Sequence, residues 1–216
     1  MNLVAFDKLD GVPIYYARQP VAAYGAKGKG PRTVRLDADF KKQLEVCLMH
    51  LWSKCPLGKP TELVSGGCYV EKAGRHGEGR AIDIDAIWWG DKSLITKKAE
   101  QQPVLYLGIE SVLRLHIGMV LDFWYNQAHE DHWHCDNGTS LGWRGSRNQV
   151  LFTQAALSLV HGQNIGSSGI DGVMGKDTRQ ALASALGVDG IIGDLGKVWS
   201  QFLELTATKA FAWLTR

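Results

Sequence analysis

Three of the chain's seven histidines fall within six consecutive residues, His129-Glu130-Asp131-His132-Trp133-His134, and a fourth, His76, stands seven positions before Asp83 in a glycine-rich run. Zinc accepts imidazole nitrogen and carboxylate oxygen, and a zinc site that does chemistry keeps three protein ligands with one position left for water. Two histidines and one aspartate meet that count. Copper, iron or manganese would accept the same donors, but an open site of two histidines and one aspartate points first to zinc. The remaining histidines, His50, His116 and His161, stand alone in the sequence and read as ordinary core or surface residues.

These side chains need rigid elements to aim them. In the run Ala-Ile-Asp-Ile-Asp-Ala-Ile at 81–87 the strict alternation puts Asp83 and Asp85 on one face of a strand and Ile82 and Ile84 on the other. The same period of two puts His132 and His134 on one face of a short strand, with Trp133 and Cys135 opposite. Residues 36–52 carry apolar side chains at Phe40, Leu44, Cys47, Leu48 and Leu51, a helical stripe that Asp37 or Asp39 can cap. Residues 61–70 read as a strand interrupted by a glycine pair, and Pro103 opens a helical segment to about Tyr125. The first part of the chain is therefore mixed α+β.

The segments Gly-Arg-His-Gly-Glu-Gly-Arg-Ala-Ile-Asp-Ile-Asp at 74–85 and Asn-Gln-Ala-His-Glu-Asp-His-Trp-His-Cys-Asp at 126–136 resemble the extensin-like C-terminal family of the LAS metallopeptidases, a group that also holds murein endopeptidases and D-Ala-D-Ala dipeptidases. The match spans roughly residues 60 to 137. It implies a LAS-type fold with a small antiparallel sheet flanked by helices. It also implies that His76, Asp83 and His134 are the Zn2+ ligands, with His129 and His132 matching two further active-site histidines. One position departs from the pattern: where the family has Ser two residues before the first ligand, this chain has Gly74.

The implied reaction is metal-assisted amide hydrolysis in the peptide part of bacterial peptidoglycan, which requires a general base within hydrogen-bond reach. His132 and Asp131 compete for that role. A strand regular through residue 131 favours His132, whereas one that begins at 132 lets Asp131 turn in. His129 would stabilise the oxyanion or position substrate. Asp85 is open between a partner of the ligands and a solvated strand residue. Trp88, Trp89 and Trp133 read as core aromatics before groove residues, and Arg75 and Arg80 as solvated before carboxylate-binding.

Past Gly142 the sequence turns to Gly, Ser and Arg, and a boundary near residue 146 divides a peptidase domain, 1–145, from a small helical domain, 146–216. The second part resembles peptidoglycan-binding modules through Asp171, Gly172, Gly175, Thr178 and Ala181, with Asp177 or Thr178 available to cap a helix. A purely structural helical appendage is the competing reading.

Composition narrows the partners. Hydrophobic residues at 45% and charged residues at 21% are ordinary globular usage, and 24 basic against 22 acidic residues leave a formal charge of +2, too balanced for a nucleic-acid footprint. The most apolar window, 103–125, contains Glu110, Arg114, His116 and Asp122, so a membrane span is not expected. Cys47, Cys55, Cys68 and Cys135 are irregularly spaced, leaving one or two bridges open beside the reading of small buried hydrophobes. The first residues lack the apolar run of a secretory signal, so a wall-directed activity would be delivered by phage lysis or by a specialised secretion system with an immunity partner. Within hydrolases the rival is a carboxypeptidase or dipeptidase releasing D-Ala. Outside them it is a wall-binding protein with a structural zinc, for which Cys68 or Cys135 would supply a fourth ligand.

Overall fold

The computed structural model describes every residue except Gln19, Val21, Ala22, Ala23, Lys29 and Arg216. Four short strands come first, β1 (Leu3–Phe6), β2 (Lys8–Leu9), β3 (Val12–Tyr15) and β4 (Val34–Asp37), followed by helix α1 (Ala38–Lys54). Strands β5 (Glu62–Gly67), β6 (Ala81–Trp89) and β7 (Lys92–Ile95) precede helix α2 (Pro103–His116). Strands β8 (Met119–Leu121) and β9 (Trp133–Asp136) lead to three helices, α3 (Arg147–Leu159), α4 (Lys176–Leu186) and α5 (Trp199–Trp213). The chain is mixed α+β, as the sequence leads one to expect.

The main sheet is larger than the expected small antiparallel one. It has seven strands in the order β2-β3-β5-β6-β9-β8, with β7 also on β6, and β3 pairs parallel with β5. Strand β6 is its spine. Its nine residues are long enough to serve two partners on one edge, β9 along Ala81–Ile84 and β7 along Ala86–Trp89, while β5 runs along the other. Strands β1 and β4 form a separate two-stranded sheet.

Helix α1 follows β4 directly, because Asp37 ends the strand and caps the helix, its carboxylate accepting from the Asp39 backbone N–H at 3.2 Å. The predicted stripe of Phe40, Leu44, Cys47, Leu48 and Leu51 is fully buried.

Helix α2 stops nine residues short of the expected end at Tyr125. Gly118 turns the chain where a Cβ would lie 1.8 Å from the carbonyl oxygen of Thr139, so no larger residue fits. The charged groups of this apolar stretch then explain the reversal. Arg114 bonds Glu110 at 2.7 Å and Asp122 at 3.2 Å, yet eight residues of continuous helix would separate Arg114 from Asp122 by about 12 Å. Folding back as β8 brings the carboxylate to the guanidinium and leaves none of the three charges unpaired in the interior.

The boundary expected near residue 146 coincides with the start of α3, and the apolar core runs on across it, with α5 lying along α2. The Asp171-Gly172 turn is clasped by the buried Gln154, whose Oε1 accepts from both backbone N–H groups, at 3.1 and 2.8 Å. Neither Asp177 nor Thr178 caps α4: Gly175 holds the cap position and both residues lie in the first turn. Among the described residues no helix is long and apolar enough to cross a membrane.

Replacing Gly118 with Ala forces the Thr139 backbone aside. Urea denaturation is expected to show a loss on the order of 1–3 kcal/mol, and an unchanged midpoint would contradict this packing.

Candidate metal centre

Pairing of β6 with β9 sets Asp83 directly opposite His134, and pairing with β5 sets Asp83 opposite Gly67. The period-two alternation thus delivers two side chains to one point from adjacent strands. The third comes from the loop between β5 and β6, which drops His76 onto them. The atoms that meet are His76 Nε2, Asp83 Oδ1 and His134 Nδ1, separated by 3.2, 3.3 and 3.0 Å. These three residues form a group that could hold a metal ion.

Each imidazole is fixed by its other nitrogen. His76 Nδ1 lies 2.7 Å from the Cys68 carbonyl, which can only accept, and His134 Nε2 lies 3.1 Å from the Asp136 carboxylate. Both outer nitrogens therefore carry hydrogen, and the neutral rings turn lone pairs inward beside the Asp83 oxygen. Three acceptors then face one another with no hydrogen between them, an arrangement that a cation relieves. This is the physical ground on which the donor set fits a metal such as zinc.

Without a metal, a proton serves instead. Burial lowers the His134 pKa, but the hydrogen bonds from Asp136 and Asp83 outweigh it and push it up to about 9. Burial raises Asp83, yet hydrogen bonds from His134 and His76 hold its carboxyl far below the usual carboxylate range. Asp136 is likewise held down, burial being outweighed by its bond to His134.

His132 precedes the first residue of β9 but still faces the cluster, its Nε2 lying 3.5 Å from Asp83 Oδ1. Its Nδ1 lies 2.6 Å from the Asp131 carboxylate. Asp131 thus turns towards His132 and away from the ligands, and the two expected rivals form one Asp-His pair. The Asp131 carbonyl is held in turn, since the hydroxyls of Tyr24 and Thr96 both lie 2.5 Å from it. Burial, reinforced by Asp85, raises the Tyr24 pKa and keeps that phenol a donor. His129 stands beside the pair, its ring 5.3 Å from that of His132 and 5.9 Å from that of His134. Burial and these neighbours lower its pKa, so it is neutral at pH 7.

The residues of open role resolve as follows. Asp85 is fully buried and held by Arg18 through two bonds of 2.9 and 2.7 Å, so it is neither solvated nor against the ligands. Arg75 pairs with Glu78 and Arg80 bonds Asn137. Trp133 is buried, and Trp88 and Trp89 donate to the carbonyls of Gly25 and Gly58, all three structural contacts. All four cysteines are unpaired and buried, the reading as small hydrophobes, and burial pushes the Cys68 thiol up to about 12. Gly74, the departure from the family's Ser, has φ +91°, a conformation L side chains rarely adopt. Two participants were missed from the sequence, Asp136 and the hydroxyl clamp of Tyr24 and Thr96. Alternation along β9 puts Asp136 on the face of His134, a signal that could have found it.

No family model, no curated protein and no solved structure matches the chain.

A folded-state pKa of about 9 for His134, against 6.5 for the free side chain, gives stability that is fully present below pH 6.5 and lost as pH rises through 9. The thermal midpoint of the metal-free protein is therefore expected to fall across that window. A metal ion held here would have to displace the same proton, so a rise in midpoint on adding zinc should grow over the same window. Opposite or flat trends in a melting series would remove His134 as a ligand.

Proposed function

We propose that this chain is a zinc-dependent peptidoglycan endopeptidase, hydrolysing amide bonds in the stem or crosslink peptides of the bacterial cell wall. The observation that carries the reading is the Asp131-His132 pair aimed at the convergent atoms of His76, Asp83 and His134. A metal-binding cluster by itself would serve structure as well as chemistry. An imidazole oriented by a carboxylate, with its free nitrogen turned to the same point, is the arrangement that moves a proton there.

His76, Asp83 and His134 would hold the zinc, which when bound would supply an acidified water and polarise the scissile carbonyl. The rest falls to the protein. His132 Nε2 takes the proton that the attack releases, while Asp131 holds the Nδ1–H and favours the imidazolium that results. His132 then returns the proton to the leaving amine. Tyr24 and Thr96 hold the Asp131 backbone and with it the direction of the pair. Neutral His129 lies at the side, where it positions the substrate amide.

The resemblance to extensin-like and murein endopeptidase sequences supplies the substrate class, and the peptidoglycan-binding pattern at Asp171–Thr178 agrees with it. A D-Ala-releasing carboxypeptidase would use the same centre. The reading as a non-catalytic protein with structural zinc fits this group less well, because the group contains no cysteine.

Purified peptidoglycan incubated with the zinc-loaded chain should release fragments whose masses identify the bond cut, and His134→Ala should release none. His132→Ala should retain zinc and lose roughly 10²-fold or more in kcat, with a smaller loss for Asp131→Asn. Intact peptidoglycan after incubation with zinc-loaded wild type would end the enzymatic reading.

A further inference from the structure

A cleft of about 470 Å³ opens beside the metal centre, lined among others by Tyr16, Arg32, Arg35, Gly66, Gly67 and Tyr69. Its wall from Gly66 to Cys68 is shared with the centre. The Cys68 carbonyl receives His76, and a Cβ on Gly67 would stand 3.4 Å from Asp83 Oδ2. Only a side-chain-free residue separates cleft from ligands at that point.

The cleft is cationic, and among the described residues no carboxylate lines it. Nine arginines are described, and seven of them place the guanidinium on a carboxylate, a side-chain amide or a backbone carbonyl: Arg18, Arg75, Arg80, Arg114, Arg144, Arg147 and Arg179. Arg32 and Arg35 alone have no such bond to a described residue, and both are in this cleft. Each is instead laid over a ring, Arg32 at 4.7 Å from the centre of Tyr16 and Arg35 at 4.8 Å from that of Tyr69. Stacking restrains the long side chains and leaves their N–H edges unspent. Restrained guanidinium groups with free donor edges are receptors for carboxylates, which they bind in bidentate fashion.

We propose that this cleft binds the carboxylates of an anionic peptide and seats its backbone towards the metal centre, with Arg32 and Arg35 selecting free-acid substrates over amidated ones. The proposal deepens the peptidase reading by naming the substrate's charge, and it rests on that reading for the chemistry that follows binding.

The test titrates two probes into the zinc-loaded full chain carrying His132→Ala to suppress turnover. One is N-acetyl-L-alanyl-γ-D-glutamyl-L-lysyl-D-alanyl-D-alanine with free carboxylates, and the other is the same peptide with both carboxylates converted to carboxamides. The free acid should bind about tenfold or more tightly. Adding Arg32→Gln or Arg35→Gln should each remove several-fold of that preference, and both together should abolish it. Both side chains are exposed, so these variants should fold, and Arg32→Lys with Arg35→Lys should restore part of the preference through charge alone. Equal affinity for the two probes, or a preference that survives the double Gln variant, would overturn the proposal. Discrimination by a chain that leaves peptidoglycan intact would keep the cleft and discard the peptidase, and digestion without discrimination would do the reverse.

Discussion

The centre depends on a single register. Asp83 and His134 face each other across β6 and β9, so two of the three atoms that could hold a metal are brought together by backbone pairing before any side chain chooses a rotamer. A slip of β9 by one residue would turn His134 to the opposite face, among Ile82 and Ile84, and leave Asp83 facing the loop without it. The apolar residues on that side therefore fix the site as firmly as the polar ones. Burying Ile82, Ile84, Trp133 and Cys135 is what holds Asp83 and His134 towards the loop that carries His76.

Beneath this face lies a second polar constraint. Trp133 donates to Glu110, and Glu110 shares Arg114 with Asp122, all within the interior between β9, β8 and α2. Burial and the neighbouring Asp122 raise the Glu110 pKa, and the Arg114 guanidinium opposes them. Such a network has few alternative arrangements, because each member left alone would be an unpaired polar group in a dry environment. It ties the strand that bears His134 to the helix behind it.

Much of the site was legible in the sequence because strand periodicity is a local property. Alternation put Asp83 on one face with Asp85 and His134 on one face with His132, the residue types pointed to a metal, and the resemblance chose Asp83 and His134 among them. His76 sits in a loop, where no period applies, and was reached through the resemblance of its surroundings. Tyr24, Thr96 and Arg18 were out of reach for a different reason. They act over 107, 35 and 67 residues of chain, and the first two act on a backbone carbonyl, which leaves no mark on residue type at the receiving end. The question of His132 against Asp131 assumed that one must face the ligands and the other must not, and a turn just before β9 allows them to act in series. In the fold, α1 was readable from its stripe and its cap. The end of α2 was not, since the apolar run continues through Val120 and the deciding contact is with the backbone of Thr139. Strands of two to four residues such as β2, β3 and β8 are too short to show a period, so the extent of the sheet stayed hidden.

The four thiols have a consequence beyond packing. Each lies within the interior, unpaired, with burial holding it in the unreactive protonated form, and no cross-link contributes to the fold. The cysteines are then the same in a reducing as in an oxidising medium: no disulfide has to form or be reshuffled, and a mixed disulfide finds no accessible thiol. A protein built this way can be made on one side of a redox boundary and put to use on the other with its thiols unchanged.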